Sequence, residues 1–109
     1  MPDRAKIHKK RYIAFKVTAP REISRKEIIA AIRGQVKDRQ QWDKIMPWLT
    51  VFEHNEGILR CIHTSKEEAI SLLTSITHIG REKVPVEIRT LGTSGSIKKV
   101  KMKFLSRPI

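Results

Sequence analysis

Phosphate binding is the chemistry most plainly written into this chain. The segment Thr90-Leu91-Gly92-Thr93-Ser94-Gly95-Ser96-Ile97-Lys98-Lys99 brings two glycines and a run of hydroxyls up to a helix start, with lysines directly behind. At such a start, free backbone N–H groups and the positive end of the helix dipole can cradle a phosphate. Ser94 or Ser96 can equally cap the helix, and the two roles are compatible. Lys98, Lys99, Lys101 and Lys103 fill the polar side of the helix that follows, and Lys9, Lys10 and Arg11 form a second basic cluster near the start of the chain. The candidate phosphate-contacting set is therefore Lys9, Lys10, Arg11, Gly92, Thr93, Ser94, Gly95, Ser96, Lys98, Lys99, Lys101 and Lys103.

Catalytic constellations are poor by comparison. His8, His54, His63 and His78 are scattered, with no His-x-x-x-His pair and no Cys-His-carboxylate spacing, so no catalytic residue and no metal ligand is assigned. A phosphatase of acylphosphatase type would want a glycine-rich cradle with an arginine after the first strand, where Thr18-Ala19-Pro20-Arg21 supplies the arginine and no glycine. A metal-dependent nuclease would want an aspartate at that strand end, and none is there. Cys61 alternates with Arg60 in an apolar strand and reads as a small buried hydrophobe.

Charge narrows the partner. With 23 Lys and Arg against 11 Asp and Glu, the 109 residues carry a formal +12, and a polyanion is the expected ligand. Residues 1–11 hold +4 and residues 90–109 hold +5 with no acid, which leaves only +3 for everything between. Such a pattern reads as a packed scaffold offering two basic ends to phosphate, although solvated tails would look the same. One cysteine excludes an internal disulfide and suits a reducing compartment. No apolar run approaches a membrane span, so a cytoplasmic protein without a membrane partner is expected.

The elements that position these residues follow from periodicity. Arg11–Thr18 alternates, with Ile13, Phe15 and Val17 on one face and Tyr12, Ala14 and Lys16 on the other. Ser24 and Glu27 form a capping box before a helix running to Val36, with Ile28, Ile29 and Ile32 on its apolar stripe. Lys37–Pro47 is polar, with a short turn of helix around Trp42. Trp48–His54 is extended, with Leu49 and Val51 opposite Thr50 and Phe52, and a bend at Asn55-Glu56-Gly57 leads into an antiparallel strand over Ile58–Thr64. A second capping box, Ser65 and Glu68, opens a helix that Gly80 closes, and Val84–Arg89 supplies a fourth strand at a sheet edge because Pro85 lacks a ladder donor. The order β-α-β-β-α-β predicts an α+β, ferredoxin-like (RRM-like) fold: a four-stranded antiparallel sheet under two helices, with an extra basic C-terminal helix. Residues 1–109 are read as a single domain, with a basic N-terminal arm (1–10), a ferredoxin-like core (11–92), and the glycine/serine loop with the basic helix (93–109). RNA readers of this fold stack bases on aromatics of the central strands; here the third strand reads Gly57-Ile58-Leu59-Arg60-Cys61 and only Tyr12 remains, so stacking on the sheet is not expected.

Several stretches together resemble a known family. Arg11-Tyr12-Ile13-Ala14-Phe15, Gly57-Ile58-Leu59-Arg60-Cys61, Leu73-Thr74-Ser75-Ile76 and the Thr90–Lys99 segment, in this order and spacing, are similar to protein component 2 of archaeal ribonuclease P, over residues 11–105. The resemblance implies a non-catalytic subunit of the ribonucleoprotein that removes the 5′ leader of precursor tRNA. It implies that ribonuclease P RNA carries the Mg²⁺ and performs the hydrolysis, with no cofactor on the protein. It also implies pairing with a barrel-shaped second protein component and self-association that joins two such pairs. Trp42, Met46 and Trp48 are the candidate protein interface, because tryptophan and methionine outside regular elements are enriched at hot spots, although the same three can simply cap the core. The alternative reading is a general structured-RNA-binding or ribosomal protein, with the same charge pattern and no preference for this RNA.

Overall fold

The computed structural model describes residues 9–104. Strand β1 spans Lys10–Thr18, helix α1 Arg25–Gln35, α2 Arg39–Ile45, β2 Trp48–Glu53 and β3 Glu56–Ile62. A 3₁₀ turn at His63–Ser65 leads into α3, Lys66–Thr74; then come β4 (His78–Ile79), β5 (Val84–Pro85), β6 (Glu87–Ser94) and α4 (Ile97–Phe104). The main sheet is antiparallel in the order β2-β3-β1-β6, and β4 pairs with β5 in a separate ribbon. This is the expected α+β, ferredoxin-like arrangement.

The sheet buries both faces. Ile13, Phe15, Val17 and Leu59 meet Ile28 and Ile32 of α1 and Leu72 and Leu73 of α3 in the main core, where the Phe15 and Phe52 rings stack with centroids 6.0 Å apart. Ala14 and Ile58, on the other face, meet Val100 of α4, with Tyr12, Val51, Ile97 and Phe104 around them. At ~1.5–3 kcal/mol for each large side chain withdrawn from water, the first cluster dominates stability and the second holds α4 in place.

The first capping box forms as expected: Glu27 N donates to Ser24 Oγ at 3.2 Å and Ser24 N to Glu27 Oε1 at 2.9 Å. The helix ends at Gln35, and Val36 is its C-cap. Elsewhere tertiary context wins. Ser65 does not cap α3; its hydroxyl is buried and donates to Lys44 O at 2.9 Å, which ties the end of α2 to the start of α3. Helix α3 stops at Thr74, and Gly80 instead takes φ +82° in the turn between β4 and β5. The register of β2 against β3 shifts between Leu49 and Val51, so Leu49 and Phe52 face the main core and Val51 faces α4, contrary to simple alternation.

The β2–β3 turn is made by His54 (φ 52°) and Asn55 (φ 61°), with Glu56 and Gly57 already in the strand. Gly57 is needed for close approach: a Cβ there would stand 2.6 Å from Val51 O and 2.8 Å from the Phe52 ring. The expected Val84–Arg89 strand is two elements. Val84–Pro85 pairs with β4, Val86 N donates to Thr77 O at 2.9 Å, and the strand against β1 runs from Glu87 to Ser94. Pro85 has no N–H to give a ladder, so the long pairing begins beyond it. The expected loop from Leu91 is thus mostly strand, with a register shift opposite Ala14 and Phe15.

Candidate nucleic-acid interface

Helix α4 is amphipathic in a strict sense. Val100 is fully buried against the sheet and flanked by Ile97 and Phe104, while Lys98, Lys99, Met102 and Lys103 are exposed and Lys101 is half-buried. Ser96 caps the helix: its Oγ accepts from Lys99 N at 3.4 Å, and its own N–H donates to Ser94 Oγ at 3.2 Å. Two hydroxyls of the expected phosphate cradle, those of Ser94 and Ser96, are thus engaged in capping. Gly92 and Thr93 lie in β6, opposite Ala14 and Ile13. Gly92 forms a flat seat for Phe104, since a Cβ there would stand 2.3 Å from the ring. Of the expected loop, Gly95 and Ser96 alone lie between the strand and the helix.

Sheet register brings the two basic segments together. Tyr12 pairs with Ser94 and Ile13 with Thr93, so the Lys10–Arg11 end of β1 adjoins the end of β6 from which α4 departs. Arg11 lies in the strand as expected, Lys10 joins it there rather than belonging to the arm, Lys9 is exposed just before them, and residues 1–8 lie outside the described residues. The same end of the sheet adds two groups that the sequence reading did not include. Arg60 is paired with Tyr12, and His63 receives an Arg11 guanidinium N at 2.9 Å on Nδ1 while its backbone N–H donates to Lys9 O at 2.7 Å. Arg11 Nε and Arg60 Nε are both buried without a hydrogen-bond partner. The signal for both was register, which a single strand pattern does not carry.

Ion pairing distinguishes α4 from the other helices. Arg21 pairs with Glu27 at 2.8 Å, Lys44 with Glu68 at 3.1 Å, and Arg39 with Asp43 and Lys66 with Glu67 at 3.9 Å each, all on or beside α1, α2 and α3. Among the described residues, Lys98, Lys99, Lys101 and Lys103 form no ion pair. Unneutralised like charges on a fixed scaffold produce a positive potential suited to phosphates.

Among the described residues the histidines and the cysteine stand apart. His54 meets Glu22 at 3.1 Å and His78 meets Thr77 Oγ1 at 3.1 Å, so each has a partner other than those of the Arg11–His63 pair. Burial pushes the Cys61 thiol up to about 11, so it is a poor nucleophile at neutral pH. Among the described residues no three His, Cys, Asp or Glu side chains gather as a metal site, and no helix is long and apolar enough to cross a membrane.

The aromatic group sits at the opposite sheet edge. Trp42 belongs to α2, which is longer than the single turn expected. Met46 is its C-cap with φ 48°, and Met46 and Trp48 are 47% and 58% exposed. Trp42 and Trp48 line a groove of about 150 Å³ beside α1, on the sheet face away from α4.

Comparison with known proteins agrees with this geometry. The Rpp14/Pop5 family model matches residues 11–105. "Ribonuclease P protein component 2" of Methanocaldococcus jannaschii is 40% identical over 100 residues, covering 89% of this chain and 73% of that protein. The proteins of the same name from Methanococcus maripaludis and Pyrococcus furiosus are 35% and 36% identical over 104 residues, covering 92% and 91% of this chain and 78% and 85% of theirs. A chain in the cryo-EM structure of yeast ribonuclease MRP superposes with a TM-score of 0.65 over 83% of this chain and 76% of its own, at 13% identity, which is a likeness of fold. A match over residues 11–105, which hold Arg11, the α4 lysines and all of the main sheet but Lys10, leaves one assignment: the chain belongs to the Rpp14/Pop5 family.

Proposed function

We propose that this chain is an RNA-binding protein subunit of ribonuclease P, supporting the catalytic RNA in removing the 5′ leader from precursor tRNA. The observation that carries the reading is the meeting of two distant basic segments at one end of the sheet, with the α4 lysines free of carboxylates among the described residues. Close-packed RNA phosphates repel one another, and lysines held at helical spacing replace part of the Mg²⁺ that would otherwise screen them. In this reading the Mg²⁺ ions belong to the RNA, and the protein contributes no acid, base or ligand to phosphodiester hydrolysis. Lys98, Lys99, Lys101 and Lys103, the Gly95 amide, and Lys9, Lys10 and Arg11 contact phosphate, with Arg60 and His63 beside them. The edge bearing Trp42, Met46 and Trp48 is left for the second, barrel-shaped protein component, and self-association of the chain bridges two such pairs.

The test is cleavage of precursor tRNA by the cognate RNA at limiting Mg²⁺, with and without this chain and its partner protein. Stimulation that disappears when the four α4 lysines become alanine supports the reading. A folded, RNA-binding preparation that gives no stimulation refutes it and leaves a general RNA-binding protein.

A further inference from the structure

We infer that the groove between α1, α2 and the start of β2 is the seat for a protein segment in which one large apolar side chain is flanked by carboxylates. The inference rests on the reading of the chain as a subunit of a protein–RNA assembly, and it specifies the chemistry of one protein contact.

The groove is built by helical spacing. Arg25, Ile29, Ile32 and Arg33 fall at i, i+4, i+7 and i+8 of α1, which puts them on one stripe. Ile29, Ile32 and Leu49 give an aliphatic floor, and Trp42 and Trp48 give the aromatic walls. Its volume of about 150 Å³ suits a single large side chain. Exposed aromatic surface around an apolar slot is the composition of an interface anchor pocket.

The rim chooses among occupants. Arg25 donates to Leu49 O at 2.8 Å, and neither Arg25 nor Arg33 forms an ion pair among the described residues. Beyond Trp42 the depression continues past Val36 to Arg39 and Asp38, which are already engaged: Arg39 with Asp43 at 3.9 Å, and Asp38 as the N-cap of α2, accepting from Gln41 N at 2.9 Å. Two open guanidinium groups over an aliphatic floor complement a segment that carries carboxylates on either side of its anchor. A nucleobase fits less well, because a base seated in the slot would set its edge donors and acceptors against the Ile29, Ile32 and Leu49 floor, away from the arginines at the rim. A second copy of this chain brings another +12 to an arginine rim.

The chain reports on itself, since its two tryptophans both line the groove. A phage-displayed library of random dodecapeptides is selected on the full-length chain, and enriched sequences are synthesised and titrated against tryptophan emission. The expected peptides carry Leu, Ile, Met, Phe or Trp between Asp or Glu residues, and they shift the emission to the blue. Glycine at the anchor abolishes the shift, and Arg33→Glu weakens binding by about tenfold or more while the melting temperature and RNA affinity stay as in the parent. Four outcomes overturn the inference: no enrichment; peptides without acids, or equally bound by Arg33→Glu; the same shift from an oligouridylate that competes with peptide; or the same shift from self-association on concentrating the chain. The α4 lysines lie on the other sheet face, so failure of RNA support and failure of the groove are read separately.

Discussion

Replacing Gly92 with alanine drives a methyl group into Phe104. The added Cβ would stand 2.3 Å from two ring carbons and 2.7 Å from a third, where non-bonded carbons need ~3.5–4.0 Å. The backbone of Gly92 cannot yield easily, because β6 is paired there with Ala14 of the central strand. The ring therefore leaves its seat. Phe104 is half-buried, so the loss falls below the ~1.5–3 kcal/mol of a fully buried phenylalanine, at about 1–2 kcal/mol, or ~4–16 °C in melting temperature for a chain of this size. Phe104→Ala alone costs a similar amount. In that background Gly92→Ala adds a methyl where the ring has gone, and it costs almost nothing. A double-mutant cycle by urea denaturation should give a coupling of about 1–2 kcal/mol. Strictly additive costs would show that Phe104 does not rest on Gly92 and that α4 is held some other way. The single variants should also weaken RNA binding, since an undocked helix no longer presents its lysines at fixed spacing.

Alanine at Lys98, Lys99, Lys101 and Lys103 should flatten the log–log salt dependence of RNA affinity by about 3, taking ~0.7–0.9 per phosphate contact; an unchanged slope measured by filter binding would remove α4 from the interface. Glu27 is held down to about 2, first by the hydrogen bond from Arg21 and then by that from Ser24 N. Because its folded value lies below the ordinary 4.5, its stabilisation is complete above that pH and fades as pH falls toward 2, so the melting-temperature gap between parent and Glu27→Gln should narrow across that window and stay constant above it. Asn55→Ala removes the acceptor of Ile23 N (2.7 Å) and the donor to Arg21 O (3.1 Å) and leaves alanine at φ 61°, for an expected loss of about 2–3 kcal/mol in urea denaturation. A loss under ~0.5 kcal/mol would mean that the β2–β3 turn does not depend on that side chain.

What was legible in the sequence is what local periodicity determines. The faces of β1, the Ser24–Glu27 box, the stripe of α1 and the apolar side of α4 each follow from spacing within one element. The failures all involve a second element. Alternation in β2 breaks at Thr50, whose Oγ1 donates to Ile58 O at 3.0 Å across the pairing, and no window of β2 alone contains that partner. Ser65 has the spacing of a cap but is claimed by Lys44 O. Gly57 and Gly92 look like turn residues, yet one yields to Val51 and Phe52 and the other to Phe104. The same holds at the site: the lysines were visible, whereas Arg60 and His63 join them only through the register of β3 against β1.

The central position of β1 also sets a timetable for folding. Its neighbours are β3, whose pairing reaches Ile62, and β6, whose pairing reaches Ser94, so both edges of the earliest strand wait for chain synthesised much later. During translation β1 can gain its first neighbour only after the β2–β3 hairpin has emerged, and its second only when the segment leading into α4 is clear of the ribosome. Until then Ala14 and Ile58 face solvent with no helix over them. Non-local pairing of this kind slows folding and prolongs exposure of an unpaired strand edge.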